Sequence, residues 1–292
     1  MRSENEMMDL ILRTAQDDNR VRAVIMNGSR VSPTTQKDIF QDYDVVYVVK
    51  NIKSFTSDHS WVDKFGDRLM IQMPEDKIIP PACNDGSFMY LMLFTDGNRI
   101  DLRLVPIETK DKLIGRDSLS ILLLDKDGII EPFPPASNAD YKIKPPSAKE
   151  FDDCCNQFWW VSTNIAKGLW RKELSYVKFM FEQPTRDALI LMLNWHIGIK
   201  TGFTVSSGKL GKYFEHYLES DVWNEFVATY PDANYENIWR SLFSMCNLFR
   251  RIAVGVAAHF NYKYPYGDDK RISSYLEHVK LLSPNAKEIF YQ

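Results

Sequence analysis

The chain changes character once, and that change limits its fold more than any other feature. Residues 131–150, EPFPPASNADYKIKPPSAKE, carry Pro132, Pro134, Pro135, Pro145 and Pro146. Prolines at this density remove backbone donors and restrict the residues before them, so no helix or central strand runs through the segment. Before it, short apolar and β-branched runs mix with helical patterns; after it, no convincing strand pattern occurs. Two domains are therefore expected, 1–135 and 136–292, the first mixing strands with helices and the second helical, an α+β chain overall. With 292 residues there is enough chain for both to bury a core.

Within the first domain, Met7, Leu10, Ile11 and Ala15 recur at helical spacing. VRAVIMNGS reads as a buried strand closed by a glycine turn, YDVVYVV as a second, and DRLMIQMP as a third after a short helical SWVDKFG. SFMYLMLFTDGNRIDLRLVPI reads as a hairpin turning at Asp96-Gly97. In its returning strand Arg99, Asp101 and Arg103 alternate with Ile100, Leu102 and Leu104, which puts Asp101 on a polar face. A helical IETKDKLIGRD and a strand-like LSILLLDKDGII follow. In the second domain, Ser147 with Glu150 forms a capping box. Pro184 fits the first turn of a helix that ends at a glycine. Leu242, Met245, Phe249, Ile252 and Val256 step by three and four along one face of a long helix.

Charge and cysteine usage narrow the function classes. Lys and Arg number 36 against 39 Asp and Glu, a net charge of −3. A chain that coats nucleic acid is usually basic, so this balance argues against such a partner and leaves room for a cationic one. The four cysteines, at 83, 154, 155 and 246, show no CxxC or Cys/His ligand spacing; zinc is not expected, and free thiols fit a reducing compartment. The N-terminal residues show no cleavable apolar core, and no run reaches membrane-span length. A cytoplasmic protein is expected, with no membrane, nucleic-acid or protein partner.

The acids carry the chemistry. Asp42 and Asp44 open an apolar run, where desolvating carboxylates is costly. Residues two apart on a strand share a face, about 6.5–7 Å from one another, so the pair aims in parallel and repels unless a cation intervenes. Magnesium prefers carboxylate oxygen plus substrate phosphate. A third carboxylate, Asp101 on a neighbouring strand, would complete a site for two metals of the kind that clamp a phosphoryl displacement. The turn at Gly28-Ser29 offers backbone N–H groups and a hydroxyl to a phosphate. The pieces describe a triphosphate held at the turn while metals on the acids activate its α-phosphorus. Singly, each has a bland reading: a common turn, two solvated acids, a surface ion pair at Asp101. The ordered set is far more specific.

That set, Gly28-Ser29, then Asp42-Tyr43-Asp44, then Asp101, resembles the nucleotidyltransferase superfamily that includes DNA polymerase beta. The longer stretches IMNGSRV, FQDYDVVYVV, GNRIDLRLVP, LMLNWHIGIKTGF with GKLGKY, and FNYKYP resemble the aminoglycoside 6-adenylyltransferases, which inactivate streptomycin, over nearly the whole chain. The resemblance implies a nucleotidyltransferase domain with a mixed β-sheet flanked by helices, and a helical bundle domain completing the nucleotide and aminoglycoside site. It implies Mg2+ as cofactor, ATP as co-substrate and streptomycin as the cationic partner, with AMP passed to the drug's 6-hydroxyl and pyrophosphate released. Asp42 and Asp44 would ligate magnesium, and Asp101 would be the third ligand or the general base. Gly28, Ser29 and Arg30 would meet the triphosphate; Arg30 is bulkier than the small residue common there and speaks against a template-dependent polymerase. Lys209 and Lys212, read as three apart on one helix face, are either contacts to the outer phosphates or a solvated pair. A cationic drug needs acids, for which Asp152, Asp153, Glu182 and Asp187 are candidates. Trp195 or Trp170 either walls that pocket or belongs to the core, and His196 reads as a satisfied core histidine. The rival readings are another acceptor (a different aminoglycoside, a lincosamide or a protein hydroxyl) and a non-catalytic nucleotide-binding module.

Overall fold

The structure, a computed structural model, describes residues 1–82, 84–115 and 117–290; Cys83 and Arg116 lie outside the described residues. The chain divides into two compact units, Met1–Asp140 and Tyr141–Gln292. The division falls inside the proline-rich segment, after Asp140 rather than after Pro135.

The first unit is built on six strands: β1 Val21–Asn27, β2 Tyr43–Val49, β3 Arg68–Gln72, β4 Phe88–Phe94, β5 Arg99–Pro106 and β6 Ser120–Asp125. They form one mixed sheet in the order β3-β4-β5-β2-β1-β6. β2 and β5 run parallel while every other neighbouring pair is antiparallel. The β4–β5 hairpin turns at Asp96-Gly97, where Gly97 has φ +86°. The first helix, Glu4–Asp17, starts at a Ser3/Glu6 capping box and buries Met7, Ile11 and Ala15. The period of two then sorts the strands. Tyr43, Val45, Tyr47 and Val49 pack in the core beneath this helix, and the Tyr47 hydroxyl donates to the Ile11 carbonyl at 2.6 Å. Val46, Val48 and Val105 face the other way, into a smaller core with Ala23, Ile25 and Ile130.

The second unit is helical, with no strand among its described residues. The helix Ala148–Arg171 begins at the expected Ser147/Glu150 capping box. In Tyr235–Phe260, Leu242, Met245, Phe249, Ile252 and Val256 are all buried, and Phe249 stacks on Phe158 with ring centroids 3.8 Å apart. Cys154, Cys155 and Cys246 are buried and unpaired. Among the described residues, no helix is long and apolar enough to cross a membrane.

One expectation fails here. Pro184 does not start a helix; it lies within a π-helical turn, Phe181–Thr185, that joins Leu174–Met180 to Arg186–Thr201. A proline cannot donate to the carbonyl four residues back, which is Met180. The Thr185 hydroxyl donates to that carbonyl instead, at 2.9 Å, so the chain stays helical through the proline. The helix then ends at Gly202 in the left-handed conformation, as a C-terminal glycine should.

Candidate active site

The sheet brings the three acids together. Asp44 is the second residue of β2 and Asp42 immediately precedes that strand. Asp44 and Asp101 are register partners in the parallel β2/β5 pair, and Asn27 at the end of β1 opposes Asp44 from the other side. All three acids are half-buried, and one carboxylate oxygen from each lies within 4.8 Å of the other two. Burial, followed by the charges of Asp42 and Asp101, pushes the Asp44 carboxyl up to about 7. Of the three, Asp44 is the one whose charge the surroundings leave under-compensated.

The glycine turn is shaped by the same acid. Gly28 has φ +78°, and a Cβ on it would lie 2.1 Å from Asp44 Oδ2. Only glycine lets the carboxylate lie against the turn. Its N–H donates to the Leu119 carbonyl at 3.0 Å, which ties the turn to the start of β6. Ser29 lies in the single 3-10 turn Gly28–Val31, and the Gln41 amide nitrogen is 3.3 Å from its hydroxyl. The other amide atom of Gln41, Oε1, is buried with no hydrogen-bond partner among the described residues.

Arg30, expected to meet a triphosphate, turns its guanidinium to the backbone beside Asp42. Its Nε donates to the Asp42 carbonyl at 2.9 Å and its Nη2 to the Gln41 carbonyl at 2.6 Å. The guanidinium also covers the Tyr43 ring, 3.6 Å from the centroid, and only 10% of the side chain is exposed. Here Arg30 clamps the backbone that presents Asp42. Arg99 is the cation that meets the acids: its Nε and Nη2 each lie 2.7 Å from an Asp101 oxygen, and Nε is 3.9 Å from Asp42 Oδ2.

The donor set suits a hard divalent cation. Three carboxylates supply oxygen ligands, and the strained ionisation of Asp44 is what a dication would relieve. Asp42, Asp44 and Asp101 are the residues that would hold it.

In the second unit the expected contacts separate. Lys209 and Lys212 are both exposed, but they do not share a regular helix face. Gly208, Leu210 and Gly211 all have positive φ, and only a 3-10 turn, Lys209–Gly211, forms. Left-handed residues interrupt the helical path that spacing alone suggested. Glu182 pairs with Arg186 at 2.5 Å and Lys178 at 3.4 Å. Asp153 pairs with Lys149, while Asp187 is exposed in the first turn of Arg186–Thr201. Trp195 is buried, 4% exposed, and packs near Phe151 in the core. Trp170 donates its indole N–H to the Ser283 carbonyl at 3.2 Å. His196 Nε2 lies 3.1 Å from a Glu219 oxygen. Burial, then the Lys200 and Arg251 charges, pushes its imidazole down to about 4, which fits a satisfied neutral histidine.

Sequence reasoning passed over Gln41, Asn27 and Arg99. Gln41 and Asn27 are adjacent to motif residues, a signal that was present. In the sequence Arg99 reads only as one partner of a surface ion pair with Asp101.

Three acids converge beside a glycine turn, an arrangement that suits nucleotidyl transfer, and the relatives make the protein an enzyme of that class, a nucleotidyltransferase. The model of the streptomycin adenylyltransferase family matches residues 1–279, and the chain belongs to that family. It is 42% identical over 276 residues to an aminoglycoside 6-adenylyltransferase of Campylobacter jejuni, covering 94% of this chain and 95% of the relative. It is 41% identical over 281 residues to one of Bacillus subtilis strain 168, covering 96% and 98%. A third, of Staphylococcus aureus, is 34% identical over 277 residues, covering 94% and 98%. A crystal structure of an aminoglycoside 6-adenyltransferase from Bacillus subtilis aligns over 97% of this chain and 100% of its own, with 38% identity and a TM-score of 0.48.

Proposed function

We propose that the enzyme transfers AMP from ATP to an aminoglycoside hydroxyl, with streptomycin as acceptor, its 6-position as the modified site and Mg2+ as the ion. The observation that carries this reading is the convergence of Asp42, Asp44 and Asp101 against a turn that only glycine can form. The relatives' names supply the acceptor class.

The acceptor oxygen attacks the α-phosphorus in line; the new O–P bond forms as the bond to the β-phosphate oxygen breaks, and pyrophosphate leaves. Bound at the acids, the metal supplies charge neutralisation on the phosphates. The chain's own residues provide placement, which is where most of the rate in phosphoryl transfer arises. Gly28 and Ser29 present an N-terminal turn toward the phosphates, and Gln41 orients the Ser29 hydroxyl. Arg30 fixes the backbone of Asp42. A neutral hydroxyl is a weak nucleophile, so a carboxylate of the cluster, with Asp101 the candidate, takes its proton. Lys209, Lys212 and the exposed Asp187 are the helical unit's candidates for outer-phosphate and drug contacts; Glu182 and Trp195, engaged internally, rank below them. The protein acts in the cytoplasm, where ATP is available.

The test is an acceptor screen by mass spectrometry with ATP and Mg2+. Streptomycin should gain one AMP, with stoichiometric pyrophosphate. If no aminoglycoside gains mass while the protein is folded, the acceptor reading is wrong.

A further inference from the structure

Arg99 and Asp101 lie two apart on β5, so both side chains stand on the face that carries the acid cluster. Arg99 reaches back along that face and takes both Asp101 oxygens, each at 2.7 Å. It lies 3.9 Å from Asp42 Oδ2 as well, so one guanidinium touches two of the three acids. Nearly half of its side chain, 48%, is exposed, and nothing else in the described structure accepts its hydrogen bonds. The pairing with Asp101, opposed by burial, holds Arg99 firmly in its charged form. The next arginine on the same face behaves differently. Arg103 is directed to Asp85 at 2.5 Å and to Ser87 at 3.0 Å, and has no contact with the cluster.

A bidentate guanidinium–carboxylate pair is a strong, oriented interaction. A dication bound to the same oxygens would stand one hydrogen bond from a fixed positive charge, and like charges at that separation repel. The two cations therefore compete for those oxygens. We propose that Arg99 is a built-in counter-cation that occupies the acid cluster first, and that loading a divalent ion exchanges the guanidinium for the ion. Arg99 is in this sense a positioning residue: it keeps Asp101 in place without metal and sets how tightly metal binds. The inference rests on the cluster's being the metal site of the proposed reaction.

The experiment measures Mn2+ binding to the full-length metal-free chain by electron paramagnetic resonance, without nucleotide. Arg99→Gln should bind Mn2+ about tenfold more tightly than the parent, the equivalent of losing one bidentate pair as competitor. Arg103→Gln, which removes the same charge from the same strand, should shift affinity less than about twofold. If Arg99→Gln binds no more tightly, or if both variants tighten equally so that net charge alone matters, the exchange is refuted. Asp42→Asn and Asp44→Asn distinguish the two levels. If neither weakens Mn2+ binding, the metal-site reading falls and the exchange with it. If both weaken it while Arg99→Gln changes nothing, only the exchange falls. Melting by circular dichroism shows that each variant is folded at the assay temperature.

Discussion

Carboxylates withdrawn from water are treated in opposite ways in the two units. In the helical unit Asp269, 4% exposed, receives two hydrogen bonds from Arg250, both 2.6 Å. Tyr264 donates at 2.8 Å and Ser273 at 3.1 Å. Burial opposes its charge, but these donors, Arg250 foremost, hold the carboxyl below its usual range. In the sheet unit Asp44 has two other acids for neighbours, and its carboxyl is pushed up to about 7. A buried charge that serves the fold is matched by the fold. One left unmatched beside like charges is an arrangement the fold tolerates for something it binds.

If that contrast is right, substitutions in the two groups should fail in opposite directions. Asp42→Asn or Asp44→Asn should lower AMP transfer by about a thousandfold or more, measured as pyrophosphate release, while the apo protein melts no lower than the parent. Near-normal turnover in either variant would remove the metal-site reading. Asp269→Asn should do the reverse. Breaking a buried pair leaves Arg250 uncompensated and costs about 3 kcal/mol, read by urea denaturation of the full chain. The folded fraction should keep its turnover at low temperature, since none of the residues proposed for the chemistry is touched.

Stability against pH sharpens the same contrast in the apo protein. Asp44 ionises in the native state near 7, against about 3.9 when unfolded. Between those values the native state binds more protons than the unfolded one, so this residue makes stability fall as pH rises from about 4 to about 7. The loss should be about 2 kcal/mol, below the full shift because the group keeps part of its hydration. Denaturation with a chelator at pH 5 and pH 8 measures it. Asp44→Asn should flatten the slope and raise stability at pH 8; an unchanged slope would mean that the crowding of acids costs the fold nothing.

How far the sequence carried follows from what kind of information each feature holds. The strands, the hairpin at Asp96-Gly97, the capping boxes and the buried face of Tyr235–Phe260 are local or periodic, and periodicity is written along the chain. Alternation put Asp101 on a polar face, but its place beside Asp44 depends on the parallel pairing of β2 with β5, which no pattern along the chain spells out. What spacing did not carry was side-chain commitment. Arg30 beside a phosphate-like turn looks like an anion ligand until its donors are seen on the Gln41 and Asp42 carbonyls. Pro184 looks like a helix start until Thr185 replaces its missing hydrogen bond. Lys209 and Lys212 look like one face until Leu210 turns left-handed. Each of these arrangements is a tertiary choice between partners that a one-dimensional pattern weighs equally.

The smallest effect separates charge pairing from the neutral donors around it. Tyr264→Phe removes one hydroxyl from Asp269 and leaves the ring, which is 4% exposed, in place. The carboxylate keeps Arg250 and Ser273, so the cost should be about 1 kcal/mol, the net worth of one hydrogen bond rather than of a broken ion pair. A double-mutant cycle with Asp269→Asn isolates the coupling. If Tyr264→Phe costs as much as Asp269→Asn, the hydroxyl and the guanidinium act as one unit, and the helical unit's charge is held by a cooperative network. A cost near zero would leave Arg250 and Ser273 as the match for Asp269. No such graded series is expected around Asp44, because its close carboxylate neighbours oppose its ionisation rather than support it, and replacing a neighbour there should relieve strain.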